Sequence, residues 1–456
     1  MPISPARTIA FDVLLCVETE AAYASELLHA RLNARVSARD AALAIEIVMG
    51  TLRWQRWLDF LAENYVGKKS TALDVEVLVA LRIGIYQLRH LARIPASAAV
   101  DESVDLVKRA RKQSAASLVN AVLRRAASES SKSPDEFLWP ELKTEDALGL
   151  RYSHPTWLVE HWLARFGREQ TVALLEANNE APRRACALSA PESPEFRVEV
   201  MHSLTAAGVE FESGRLVRNA ITIRGGDVTK TKAFQNGWIS FQDEASQIIP
   251  LLMEVKVGQS VLDLCAAPGG KTMALARKAG STALVVAADR REGRLRAMRE
   301  RLGHAGVSNV RLVALDGTAS LPFSAEFDWI LVDAPCSGTG TLSRNPEIRW
   351  KLKQSDLAEL HSRQVMLFNS ALECLAPEGR LVYSTCSLEH EENEDVVSEV
   401  LGAHPEFRAI AAEFPPDALA KGVRAETLFD NSSTFFRTFP PLQHADGFFA
   451  TVLARR

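Results

Sequence analysis

The stretch Val261-Leu-Asp-Leu-Cys-Ala-Ala-Pro-Gly-Gly-Lys-Thr272 decides the fold. A short apolar run ends in a glycine turn, and the turn opens into a helical pattern over 271–279. Two later runs end in the same way. Trp329-Ile-Leu-Val332 precedes Asp333-Ala-Pro-Cys336-Ser-Gly-Thr-Gly340, and Leu381-Val-Tyr383 precedes Ser384-Thr-Cys386-Ser387. Strand-then-turn units of this kind belong to a parallel α/β sheet, whose carboxyl edge is where open sheets bind ligands. The glycine turn and the two thiols are therefore expected to share one cleft, as in a transferase that attacks its substrate covalently.

Working outward, strands are expected at 261–264, 283–288, 310–315, 328–332 and 380–385, with helices at 271–279, 291–303 and 354–375 between them. Asp446-Gly-Phe-Phe-Ala-Thr-Val-Leu453 reads as a last strand. Residues 5–127 carry apolar positions at helical spacing, as in Val77, Leu78, Leu81 and Ile85, and read as a helical bundle. Ser128-Glu-Ser-Ser-Lys-Ser-Pro-Asp135 is polar and reads as a linker. A helix is expected over 156–177, with Trp157, Trp162 and Phe166 on its apolar side. Residues 183–240 alternate short apolar runs with Gly, Pro and Ser, the pattern of a small α+β module. The expected division is 1–140 helical, 141–235 α+β linker module and 236–456 Rossmann-like α/β domain.

With 456 residues, 47% hydrophobic and 24% charged, the chain has the composition of an ordinary globular protein. No apolar run approaches the roughly 18 residues that cross a bilayer. The start of the chain lacks the pattern of a signal peptide, so a cytoplasmic protein is expected. Six cysteines are scattered without a CxxC pair, which argues against a zinc ribbon or a disulfide framework; no metal is expected. The net charge is −4, yet residues 51–125 hold thirteen Lys/Arg against seven Asp/Glu. Lys108–Lys112 and Arg124–Arg125 are the candidate phosphate contacts in that stretch.

Gly269-Gly270 between strand and helix lets backbone N–H groups approach a ligand closely. A P-loop would need glycine where Cys265 stands, and the GxGxxG fingerprint is absent. Asp289 ends the next apolar run, where an acid suits two ribose hydroxyls. Asp316 ends the third run, in reach of an adenine, and Asp333 ends the fourth.

The segments CAAPGGKT (265–272), DAPCSGTG (333–340) and YSTCSLEHEENE (383–394) resemble the signature of the NOL1/NOP2/Sun family, which makes 5-methylcytosine in RNA from S-adenosylmethionine. Leu118-Val-Asn-Ala-Val-Leu-Arg-Arg125, Arg151-Tyr-Ser-His-Pro-Thr-Trp157, Phe241-Gln-Asp-Glu-Ala-Ser246 and Asp446-Gly-Phe-Phe449 extend the likeness along nearly the whole chain. The N-terminal part resembles the NusB-like RNA-binding domain of the bacterial Sun/RsmB branch, which modifies 16S ribosomal RNA. The resemblance implies methylation of carbon 5 in a cytosine of the 967 type; a monomer is expected. It implies cofactor binding by Cys265, Ala266, Ala267, Pro268, Gly269, Gly270, Lys271, Asp289, Asp316 and Asp333. The module is where the likeness weakens: Asn178-Asn179 leads into Arg183-Arg-Ala-Cys-Ala-Leu-Ser189 instead of the family's Leu-Arg-Val-Asn strand.

Cytosine carbon 5 is a poor nucleophile, and a thiolate adding at carbon 6 turns the ring into an enamine that is a good one. The residues alone leave both thiols open. A proline before the nucleophile, as in DNA cytosine methyltransferases, favours Cys336; the RNA family's pattern assigns attack to Cys386 and product release to Cys336. It also places Asp333 on the cytosine ring near N3, with Lys271 beside it. Arg344, Arg349, Trp350 and Lys351 follow the Pro-Cys motif and are expected to line the RNA side. The alternatives are the same chemistry on transfer RNA, or a non-catalytic ribosome-assembly factor that retains a methyltransferase shell.

Overall fold

The computed structural model describes residues 3–456 except 21, 33–35, 133–135, 138–143, 189–193, 325 and 431. The chain forms two compact units, Met1–Ala181 with Leu342–Gln354, and Pro182–Thr341 with Ser355–Arg456. The end of the expected linker and the boundary placed at 140 lie outside the described residues.

The first unit is helical. Helices Pro5–Glu20, Ala38–Arg53, Gln55–Val66, Val75–His90, Ala96–Arg109 and Ala116–Ser128 enclose a core that includes Phe11, Ile47, Trp57, Leu81 and Leu123. Ser37 caps its helix by accepting from the Asp40 N–H, satisfying an end group the helix cannot. Buried Arg82 pairs with Asp59 and Glu18. Helix Thr156–Ala177 follows the expected span, broken at Gly167, and Trp162 is fully buried.

The segment 342–354 corrects a sequence expectation. Arg349 does not line a surface: it is 0% exposed. Its guanidinium donates to the carbonyls of Arg53, Ser153 and Asn178 and to Asn179 Oδ1 at 2.9–3.2 Å. Trp350 Nε1 donates to the Leu52 carbonyl at 2.7 Å, and Lys351 Nζ to the Ala22 carbonyl at 2.5 Å. Basic residues after a catalytic motif look like ligand contacts in sequence; here the fork geometry of arginine serves to satisfy buried carbonyls.

The second unit holds two sheets. Strands β1 (Arg184–Leu188), β2 (Glu210–Ser213), β3 (Ala220–Gly225) and β4 (Ile239–Phe241) pair antiparallel in the order β2-β3-β1-β4. Buried Glu244 closes the loop before β3 by accepting the N–H groups of Arg215, Leu216 and Val217. The larger sheet contains β5 (Val261–Asp263), β6 (Val285–Asp289), β7 (Val310–Ala314), β8 (Phe327–Asp333), β9 (Leu375–Thr385), β10 (Phe407–Ile410), β11 (Phe435–Thr438) and β12 (Phe448–Arg455). Its order is β10-β12-β9-β8-β5-β6-β7, with β11 on β12. β9-β8-β5-β6-β7 run parallel, and β12 returns antiparallel to β9. Fully buried strands such as Val285–Asp289 read as continuous apolar runs because helices cover both faces. Among the described residues no helix is long and apolar enough to cross a membrane.

Candidate active site

The register of the parallel strands builds the site. Asp333 ends β8 directly opposite Ser384 near the end of β9. The turns that follow are laced together: the Ala334 N–H donates to the Ser384 carbonyl and the Gly340 N–H to the Cys386 carbonyl. Gly340 is held against Gly447, where a Cβ would come within 2.1 Å of the Gly447 carbonyl oxygen, so a side chain has no room. The result brings Cys336 Sγ to 3.3 Å from Cys386 Sγ. Both are free, half-buried thiols. The hydrogen bond to Cys386, burial and the nearby Glu392 carboxylate push the Cys336 thiol well above its ordinary value.

A chain of polar contacts joins these turns to the glycine turn. Lys271 Nζ donates to Asp333 Oδ2 at 2.7 Å, and Ser384 Oγ to Asp333 Oδ1 at 2.7 Å. The Lys271 ammonium also lies 5.1 Å from the centroid of the Phe448 ring, a cation–π contact.

Below Lys271 lies a cavity of about 150 Å³, lined by Cys265–Lys271, Asp263, Asp333, Ser240–Gln242 and Arg301 among others. Gly269 adopts φ 102°, a left-handed conformation that frees the first N–H groups of helix Gly270–Ala279. Asp263 was not singled out from the sequence. It is 1% exposed, takes a 2.6 Å hydrogen bond from Thr272 Oγ1 on one oxygen, and its other oxygen has no partner among the described residues. Burial, with the Asp333 charge adding to it, pushes its carboxyl up to about 7 against the Thr272 hydrogen bond. A buried carboxylate oxygen in the same cavity as the N-terminal turn of helix Gly270–Ala279 suits a ligand with both an ammonium and a carboxylate. The amino-acid end of S-adenosylmethionine has both, so the residues present fit that cofactor. The signal for Asp263 was an acid inside an otherwise apolar strand.

The remaining candidates are placed less centrally. Asp289 is buried at the end of β6; its oxygens accept the N–H groups of Ala267 and Arg291, fixing the glycine turn from behind. Asp316 is exposed beyond β7, accepting from Thr318 and lying 3.6 Å from Arg290. Asp289, Asp316, Cys336 and Cys386 do not line the 150 Å³ cavity. Burial and the Asp263, Asp333 and Asp289 carboxylates push the Cys265 thiol up, which disfavours its thiolate. Glu392, within the quoted motif 383–394, is also buried beside the paired thiols.

Residues 250–454 match the 16S rRNA methyltransferase RsmB/F family, 4–128 the NusB family, and 154–229 the ferredoxin-like domain of RsmF/B-like methyltransferases. The chain is 31% identical to the probable ribosomal RNA small subunit methyltransferase B of Bacillus subtilis, over 88% of this chain and 89% of that one. It is 35% identical to the ribosomal RNA small subunit methyltransferase B of Pseudomonas putida, over 89% and 90%. The crystal structure of PH0851 shares the fold with a TM-score of 0.80 at 24% identity, covering 99% of each chain.

Proposed function

Because this chain belongs to the 16S rRNA methyltransferase RsmB/F family, an S-adenosylmethionine-dependent RNA methyltransferase family, we propose that it methylates carbon 5 of a cytosine in 16S ribosomal RNA, at a position of the 967 type, through a covalent cysteine adduct. The observation that carries this reading is the pair of free thiols 3.3 Å apart at neighbouring parallel strand ends. Methyl transfer alone needs no thiol; two together at the carboxyl edge suit addition and elimination.

The cofactor, when bound, supplies an electrophilic methyl group. Cys265–Lys271 and Asp263 would hold its amino-acid end, and Asp289 and Asp316 its adenosine. Cys386 adds through sulfur to carbon 6 of the cytosine, and the ring electrons move to carbon 5. Asp333, placed between Lys271 and Ser384, hydrogen-bonds the ring near N3 and favours its more electrophilic form. After methylation the carbon-5 proton passes to solvent water, the ring double bond re-forms and the Cys386 sulfur departs as thiolate. Cys336 assists that departure. The likeness of the Thr-Cys motif to the RNA family's pattern supports giving attack to Cys386 rather than Cys336. A target inside an RNA helix must be extruded or presented in a loop to reach the thiols.

In this reading residues 1–140 bind RNA, 141–235 link, and 236–456 carry the chemistry. Bisulfite mapping of total RNA with and without the gene tests it. Loss of one protected cytosine in 16S RNA is expected. Loss confined to transfer RNA, or no loss, overturns the assignment.

A further inference from the structure

Buried Glu392 has no part in the reaction just described, yet it contacts both turns that carry the thiols. It is 0% exposed. Oε1 accepts the Ser337 N–H at 2.8 Å and Gln364 Nε2 at 3.0 Å. Oε2 accepts the hydroxyls of Ser337 and Ser387, the latter at 2.5 Å. Ser337 follows Cys336 and Ser387 follows Cys386. The two hydroxyls also contact each other at 3.0 Å. The backbone behind the carboxylate is fixed as well: Tyr383 Oη donates to the Glu392 carbonyl at 2.6 Å. Next to it, Asn393 accepts from Thr385 Oγ1 at 2.5 Å and donates to the Ser387 carbonyl at 2.9 Å.

Past the ends of β8 and β9 the regular ladder stops; the Ala334 and Gly340 N–H groups still donate to the Ser384 and Cys386 carbonyls, but these bonds hold backbone on either side of Cys336 and leave its own position to further contacts. We infer that Glu392 is a positioning residue that fixes the spacing of the two thiols by clamping together the turns that bear them. A carboxylate suits the task because its two oxygens accept four donors at once, and a buried charge with that many charge-assisted hydrogen bonds is stiffly held. Its charge also lies close enough to Cys336 to work against ionisation of that thiol, alongside the Cys386 hydrogen bond and burial.

The experiment reads the spacing without using RNA or cofactor, so only its kinetic arm rests on the proposed reaction. Phenylarsine oxide condenses with two nearby thiols, forming two As–S bonds and releasing one water. The full-length wild-type chain is expected to bind it tightly, with Cys386→Ala giving the background from the other cysteines. Glu392→Ala should weaken that binding on the order of tenfold or more, because the second thiol loses its high effective concentration. Glu392→Gln should restore it: its amide oxygen keeps the Ser337 N–H and Gln364, and its amide N–H groups donate to the two hydroxyls, which can rotate to accept. In turnover, Glu392→Ala should lower kcat on the order of 100-fold with KM for RNA little changed. Should Glu392→Ala not fold, Ser337→Ala combined with Ser387→Ala removes two donors and leaves the carboxylate; a severalfold loss of arsenical binding is expected. Unchanged arsenical binding in either variant overturns the clamp. So does failure of Glu392→Gln to restore it. Loss of turnover with normal arsenical binding would instead assign Glu392 a different role.

Discussion

Cys336 and Cys386 stand fifty residues apart in the chain, and their sulfurs are 3.3 Å apart. Neither thiol reaches the other by a flexible path. β8 and β9 run parallel with Asp333 opposite Ser384, so each thiol lies just past its strand end. Gly340 packed on Gly447 and the Glu392 hydrogen bonds close the turns on each other.

The proximity makes the roles of the two thiols separable. Cys386→Ala should abolish both methyl transfer and covalent attachment to RNA, since no group remains to add at carbon 6. Cys336→Ala should allow attack and transfer but slow release, so the protein accumulates as an RNA adduct. Denaturing gels with labelled RNA distinguish the cases. Trapping by Cys386→Ala and not by Cys336→Ala would reverse the assignment.

Asp289 supports the cofactor turn from behind, and in the proposed site its carboxylate also meets ribose hydroxyls. Asp289→Ala should weaken S-adenosylmethionine binding at least severalfold, since a hydrogen bond to a charged group contributes roughly 1.5–3 kcal/mol. Calorimetry reads this directly. Unchanged affinity would remove Asp289 from the site.

Asp263 predicts a pH dependence of the cofactor-free protein. Its folded-state carboxyl is raised to about 7, above the ordinary value of 3.8, so the folded state holds the proton more tightly. The stabilisation is fully present below the unfolded value and is lost as pH rises through about 7. Ionising a buried acid costs the fold up to about 4 kcal/mol on this count. Asp263→Asn keeps the Thr272 hydrogen bond and removes the titration. Between pH 5.5 and 8, wild-type stability should therefore fall relative to Asp263→Asn in chemical unfolding. Parallel curves would mean that Asp263 does not titrate in this range.

Arg349 predicts a stability effect within the helical unit. Arg349→Met leaves buried oxygens of Arg53, Ser153, Asn178 and Asn179 without this donor, at a cost of roughly 1–3 kcal/mol for each one left unsatisfied. Arg349→Lys should not recover most of it, because one ammonium cannot reproduce the fork. Differential scanning calorimetry of both variants tests this; a wild-type melting curve for either would contradict it.

Several cations of the helical unit's basic stretch are already engaged. Arg109 pairs with Asp12, Lys112 with Asp74, and Arg125 lies 3.6 Å from Glu129. Exposed Arg111 and Arg124 are then expected to carry more of any RNA binding. Replacing both by Ala in the full chain should lower the slope of log affinity against log salt by about 0.7–0.9 for each phosphate no longer neutralised. An unchanged slope would place the RNA-binding cations elsewhere.

The sequence by itself determined the order of the parallel strands from 261 to 385 and the final strand, but not β10 or β11. Strand-to-turn runs at 261–264, 328–332 and 380–385 became β5, β8 and the end of β9, because apolar runs closed by Gly, Pro or Ser are legible in local chemistry. It also drew attention to both thiols, Lys271 and Asp333, since each ends such a run or opens the helix after it. What only the tertiary structure decided was which polar groups are buried and what they meet. Asp263, Glu392 and Arg349 are each almost wholly buried. Asp263 stands out only as an acid within an apolar run, while Glu392 lies in an acidic run and Arg349 among exposed-looking cations, so neither of those two is marked out from its neighbours. Burial and pairing arise from contacts between residues far apart in the chain. The strand register that places Cys336 against Cys386, and the return of 342–354 to the helical unit, are properties of packing, and packing has no short-range signature in sequence.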